Sequence, residues 1–211
     1  MIKKIIEEYI NKAPVNEPIL TTDIYNYVLF FAPNLDKARF NLYMQRFEKN
    51  REDLKRFQKG IYYKAANTPF GNTHINKQCI IKAKYLNENN NIIGYETGPS
   101  LMNNIGLTTQ MPALTYIATN KARYHQVIND LQICIVKPVV FVREENYRYL
   151  QFLDILDNKF KVNIEADNYY GILRNLINKY NLSFEKLVGY ARYYKNNDVY
   201  KKLSEIAIGV V

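Results

Sequence analysis

Apolar residues at the start of the chain recur three and four positions apart. Ile2, Ile5, Ile6, Tyr9 and Ile10 form one such stripe, which predicts a helix that Pro14 cannot continue. Pro18 precedes a short apolar step, Ile19-Leu20. After it Thr21 or Thr22 is a good N-cap, with Asp23 in the first turn, for a second helix to about Phe31. Pro33-Asn34 ends that helix, and Asn34 can cap a third from Leu35 to about Lys49. The period then shortens. Leu54–Phe57, a basic turn at Gln58-Lys59-Gly60 and Ile61–Lys64 predict a hairpin.

Three helices followed by a two-stranded hairpin is the outline of a winged helix-turn-helix, whose third helix lies in the DNA major groove. We therefore expect such a domain over residues 1–67. From residue 68 the pattern becomes mixed. A helix is predicted over about Asn76–Glu88, and a short one opens at Thr97-Gly98-Pro99-Ser100. Strands are predicted at Ala113–Thr119 and Leu131–Val136. Beyond Pro138 the spacing is helical, in segments near Glu144–Asp157, Asp167–Tyr180, Ser183–Tyr194 and Val199–Ile208. The expected fold class is α+β, with a second domain over 68–211 that ends in a helical part from about 142.

The third predicted helix carries the candidate chemistry. Phe40, Met44 and Phe47 make the stripe assigned to the core. Leu35, Ala38 and Leu42 lie roughly opposite, where the second helix or a dimer mate could cover them. Lys37, Asn41 and Gln45 follow one another at four-residue spacing, with Arg39 and Arg46 flanking. Asn and Gln can bond adenine bidentately, Arg reads guanine, and Lys mostly meets phosphate. An ordinary solvated face would look the same on this helix alone.

Charge changes the picture. The net charge is +9, which favours anionic partners such as nucleic acid. Abundant Asn, Ile, Lys and Tyr would also follow from an AT-rich genome, so position matters more than the total. Between Lys37 and Lys64 stand Lys37, Arg39, Arg46, Lys49, Arg51, Lys55, Arg56, Lys59 and Lys64, opposed only by Glu48, Glu52 and Asp53. The basicity is local. Strand alternation places Tyr62 opposite Ile61 and Tyr63, beside Lys64, where a wing would meet DNA backbone; a structural tyrosine is the alternative. The candidate DNA contacts are thus Lys37, Arg39, Asn41, Gln45, Arg46, Lys55, Arg56, Lys59, Tyr62 and Lys64.

Other chemistry finds little support. Apolar runs fall short of the roughly 18 residues a membrane span needs, and the N-terminus lacks a signal peptide's apolar stretch, so a cytoplasmic protein is expected. Cys79 and Cys134 stand in apolar surroundings as small hydrophobes, with no spacing to His74 or His125 that suggests a metal. Ser100 lacks the context of a nucleophile or phosphate loop and is expected to cap its helix. Asp154 with Asp157, and Glu144 with Glu145, are pairs expected to be solvated, with no histidine nearby to act with them. No catalytic residue, cofactor or metal is expected.

Several motifs in series resemble one bacterial family. They are Lys59-Gly60-Ile61-Tyr62-Tyr63, Thr68-Pro69-Phe70-Gly71, Thr97-Gly98, Asn104-Ile105-Gly106-Leu107-Thr108-Thr109-Gln110-Met111-Pro112 and Thr119-Asn120-Lys121-Ala122-Arg123. In order and separation, across about residues 35–140, they resemble the AbiEi-like antitoxins of type IV toxin–antitoxin (abortive infection) systems. The chain departs from that pattern at Ser100-Leu101, where a small residue is usual, and in the step from Asn50 to Leu54 between third helix and wing. The last seventy or so residues are similar only in being helical. The resemblance implies a DNA-binding transcriptional regulator that represses its own operon at promoter inverted repeats. It also implies an antitoxin that counteracts a nucleotidyltransferase-like toxin, without requiring a stable complex. Lys121 and Arg123 then fall on a second-domain face implied to help hold DNA. A regulator with no toxin partner and a protein-interaction scaffold remain open, as does an enzyme with a DNA-targeting module, which would need clustered acids or a metal site.

Overall fold

A computed structural model describes residues 1–208 of the chain; the last three positions of the expected second domain lie outside the described residues. The fold is α+β. The chain divides into two units, Met1–Ile80 and the part from Ile81 onward.

The first unit begins with α1 (Ile2–Lys12), whose Ile6 and Ile10 are buried as the stripe requires. Next come β1 (Ile19–Leu20), α2 (Thr21–Phe31), α3 (Lys37–Asn50), β2 (Leu54–Gln58) and β3 (Ile61–Lys64). The three strands form one sheet in the order β1-β3-β2, antiparallel throughout. Two helix starts differ from the sequence expectation. Thr21 does not cap α2. It is the first helical residue, and its backbone N–H and hydroxyl both donate to the Gly60 carbonyl, at 3.0 and 3.3 Å. The threonine thereby ties the helix to the β2–β3 turn, where Gly60 holds a φ of 85° that side chains disfavour. The start of α3 is capped by Asp36, not Asn34; its carboxylate accepts from Ala38 N at 2.9 Å and Arg39 N at 3.2 Å. Tyr25 of α2 packs against Phe40 and donates to the Leu35 carbonyl, fixing the turn between the two helices. A small hairpin, β4 (Asn67–Thr68) and β5 (Gly71–Asn72), follows.

The predicted helix over Asn76–Glu88 is shorter and of two kinds. It runs as α4 (Lys77–Ile81) and then as one π-helical turn, Lys82–Leu86, after which β6 (Asn87–Glu88) and β7 (Asn91–Ile92) form a hairpin over Asn89 and Asn90. Then come β8 (Gly94–Thr97), α5 (Gly98–Asn104), β9 (Thr115–Thr119), β10 (Gln126–Ile128) and β11 (Ile133–Val136). These strands form a mixed sheet in the order β10-β11-β9-β8, with β9 and β11 parallel. Gly94 is required by crowding: a Cβ there would lie 2.2 Å from the Tyr85 carbonyl oxygen and 2.7 Å from that of Ala118.

The helical part comprises α6 (Tyr147–Asp157), α7 (Tyr169–Lys179), α8 (Phe184–Ala191) and α9 (Asp198–Ile208). Asn168 caps α7 and Ser183 caps α8. The sheet and helices meet at α6. Its Leu150 packs with Tyr95, Ala118, Cys134 and Val136 of the sheet. Its Leu153 and Leu156 pack with Leu173, Leu187 and Leu203 of the other helices. Burying a leucine of this kind stabilises by about 1.5–3 kcal/mol, so α6 anchors this unit. Among the described residues, no helix is long and apolar enough to cross a membrane.

Candidate nucleic-acid interface

The candidate contacts of the first unit sort into three groups. Helix α3 buries only Phe40, Met44 and Phe47. That stripe turns the rest of the helix outward, so Lys37, Arg39, Asn41, Gln45 and Arg46 are all exposed. Lys49 is exposed on the same side, and a helical wheel anchored on Phe40 would have found it. The Asp36 cap already uses the first amides of α3, so this helix offers an anion its side chains more than its terminus.

The hairpin supplies the second group. Lys59 is exposed at the turn, Arg56 is exposed on β2, and Lys55 is half-exposed beside it. Arg56 pairs with Tyr62 and Lys55 with Tyr63, and neighbouring strand residues point to opposite faces. Lys55 and Arg56 are therefore divided between the two faces of the hairpin.

The third group is absorbed by the fold. Tyr62 does not face outward; it is 4% exposed, in the core with Met44 and Phe47, and its hydroxyl donates to Glu48 at 3.3 Å. Burial, and then the Glu48 charge, raise its pKa above the usual phenol value. Alternation does place Tyr62 and Ile61 on opposite faces, but both faces are covered at these two positions. Ile61, on the other face, is 2% exposed. Lys64 is half-buried, with its ammonium donating to the Asn11 carbonyl at 2.8 Å. Arg51 is consumed too: it makes a two-pronged pair with Asp53 and bonds Asn11 Oδ1 at 2.7 Å. The guanidinium holds the Asp53 carboxyl below its ordinary pKa. Lys37, Arg39, Arg46, Lys49, Lys55, Arg56 and Lys59 remain directed at solvent.

In the second unit Lys121 and Arg123 are both exposed. Lys121 forms an ion pair with Glu88, which offsets its charge. Loss of hydration, and secondly the Lys121 charge, lower the pKa of half-buried Lys84.

No family model and no curated protein matches the chain. The motifs of the second unit must therefore be read from their contacts, and those contacts are structural. Ser100 accepts from the Tyr116 amide at 3.0 Å and donates to the Thr97 carbonyl at 3.3 Å. Thr109 bonds Glu165 through its amide and hydroxyl, while Glu165 N donates to the Leu107 carbonyl. Asn120 clamps the Val142 backbone, accepting from its amide at 2.8 Å and donating to its carbonyl at 2.9 Å. These side chains fasten loops to neighbouring segments.

Two further side chains depart from expectation. Asp154 is not solvated. It is 8% exposed and accepts hydrogen bonds from Thr97 (2.7 Å), Tyr95 (3.1 Å) and Tyr194 (2.7 Å). Burial pushes its pKa up, while the three hydroxyls and the Lys159 charge act against that shift. Cys79 is half-buried, whereas Cys134 is fully buried with its Sγ 2.7 Å from His125 Nε2. Burial raises the Cys134 thiol pKa above its ordinary value, with the Lys159 charge acting against that shift. Among the described residues no group of three or more His, Cys, Asp or Glu is placed to hold a metal.

Proposed function

We propose that the first unit is a winged helix-turn-helix that binds double-stranded DNA, with α3 in the major groove and the β2–β3 hairpin as the wing. The observation that carries this reading is the outward face of α3. It bears Lys37, Arg39, Asn41, Gln45, Arg46 and Lys49 opposite a continuous core stripe, with Lys59 and Arg56 on the adjoining hairpin. The element order supports it, since a helix, short strand, two helices and a hairpin on one antiparallel sheet is the winged-helix arrangement. In this reading lysines and arginines position the helix on phosphates, and Asn41 and Gln45 face base edges.

The same proposal extends to the whole chain on the strength of the motif series from Lys59 to Arg123. It acts as an AbiEi-like antitoxin that represses its own operon at inverted repeats and counteracts a nucleotidyltransferase-like toxin. The second unit then supplies the antitoxin function, with Lys121 and Arg123 as an accessory DNA contact.

A gel shift with DNA from upstream of the gene, against an unrelated duplex, tests the DNA part. Specific retardation is expected, with an affinity that falls as salt rises, at a log–log slope of about −0.9 per phosphate contact. The triple variant Lys37→Glu, Arg39→Glu, Arg46→Glu should lose it while retaining its circular dichroism, because all three side chains are exposed. Equal affinity for both duplexes would end the repressor reading. The antitoxin part is tested by co-expression with an adjacent nucleotidyltransferase gene: restored growth is expected, and continued toxicity overturns it.

A further inference from the structure

The outward face of α3 is centred on an apolar residue, and this sets what the helix can read. At about 100° per residue, Leu42 stands about 160° round the helix from Phe40. It is 54% exposed, so neither α2 nor the core covers it. Ala38, one turn before it, is exposed as well, whereas Leu35, the third member of that stripe, is buried at 6%. Gln45 and Asn41 lie on one flank of Leu42, Arg46 and Arg39 on the other, and Lys49 beyond it. The line Lys37, Asn41, Gln45 is exposed, but it forms the edge of this face.

A single exposed leucine is ordinary on a protein surface. This one lies in the middle of a face that carries four cations and whose half-buried Glu48 already accepts the Tyr62 hydroxyl. Such a face suits a polyanion, and the apolar group a polyanion presents in its major groove is the 5-methyl of thymine. Amides beside it match the other half of that base pair, since Gln and Asn bond adenine N6 and N7.

Resting on the DNA-binding reading above, we propose that α3 reads an A·T-rich half-site in which Leu42 is a specificity-determining residue. Its side chain packs on a thymine 5-methyl while Gln45 and Asn41, together on one flank, bond adjacent adenines. Ala38 leaves room for the methyl-bearing strand to approach.

The test uses the full chain and a duplex selected from a random-sequence library. Affinities are measured for that duplex and for versions with deoxyuridine replacing thymine one position at a time. Removal of a single methyl should weaken binding about fourfold at one position per half-site, the worth of one buried methylene-sized group. Leu42→Ala should show the same loss on the thymine duplex and no further loss with deoxyuridine. The variant folds, because the side chain it shortens is exposed. Deoxyuridine without effect at every position, in a chain that still binds with a steep salt dependence, overturns the Leu42 assignment and leaves DNA binding standing. Undiminished methyl sensitivity in Leu42→Ala, with loss of self-association instead, also overturns it and makes the face a contact between copies. Absence of any salt-dependent duplex binding overturns this proposal and the DNA-binding reading together.

Discussion

Helices α3 and α6 are similar in length and opposite in use. Over fourteen residues α3 buries three side chains, and its outward surface is polar or charged around the apolar Ala38 and Leu42. Over eleven residues α6 buries an unbroken run from Leu150 to Leu156, including the polar Gln151 and Asp154. The difference lies in what surrounds each helix. Only one side of α3 meets its unit's core, whereas α6 is covered by the sheet on one side and by helices on the other. A polar group on α3 is therefore available to a partner. One on α6 must find its partners inside the protein or destabilise it.

The contrast is broken first by removing the same residue type from each helix. Leu153→Ala should cost about 2–5 kcal/mol, because Leu153 is fully buried. Leu42→Ala should change stability by less than about 0.5 kcal/mol. Urea unfolding of the two variants compares them directly, and equal losses would contradict the placement of Leu42.

Asp154 gives the next effect. Asp154→Ala leaves the Thr97, Tyr95 and Tyr194 hydroxyls without their acceptor, at about 1 kcal/mol or more each. The ionised carboxylate is also what burial disfavours. Its folded pKa is raised, so its contribution is full below the ordinary carboxylate range and is lost as pH rises through the raised value. Asp154→Asn should remove that fall while keeping part of the network. Unfolding free energies across this window, with and without the substitution, measure it.

The smallest effect tests the cap of the exposed helix. Asp36→Ala should cost about 1 kcal/mol, because the amides of Ala38 and Arg39 lose their acceptor. Its second consequence sharpens the comparison: removing a carboxylate beside Lys37 and Arg39 should tighten non-specific DNA binding, read as increased affinity for an unrelated duplex.

Helical spacing was the most legible signal in the sequence. It placed α1, α2 and α3 and the stripe Phe40, Met44, Phe47, because one-sided burial leaves a period in the chain. It placed α7, α8 and α9 for the same reason, and α6 from the spacing of Tyr149, Phe152, Leu153 and Leu156. Burial on two sides leaves no such period. Tyr62 on a covered middle strand looked like a surface residue, and Asp154 three positions before Asp157 looked like half of a solvated pair. Thr21 has the composition of a cap but serves a turn thirty-nine residues away, a relation that local pattern does not carry. The strand Gln126–Ile128 was missed because, as an edge strand, it buries little: Gln126 and Val127 are exposed. For the candidate interface, counting cations singled out the region whose exposed side chains the proposal uses. Sorting them needed Arg51 and Lys64 to be seen bonded to Asn11.

The crowding at Gly94 bears on how this sequence can drift. A composition rich in Asn, Ile, Lys and Tyr has the mark of pressure toward A and T in the gene, and such pressure works against every glycine codon. Most surface positions can yield to it. At Gly94 any replacement adds an atom facing two backbone oxygens, and Ala118, next to the Thr119 that pairs with Gly94, is held in register by the pairing of β8 with β9. Neither side can retreat alone. This codon should stay fixed while its neighbours are rewritten, which makes it a marker for recognising diverged relatives of the fold.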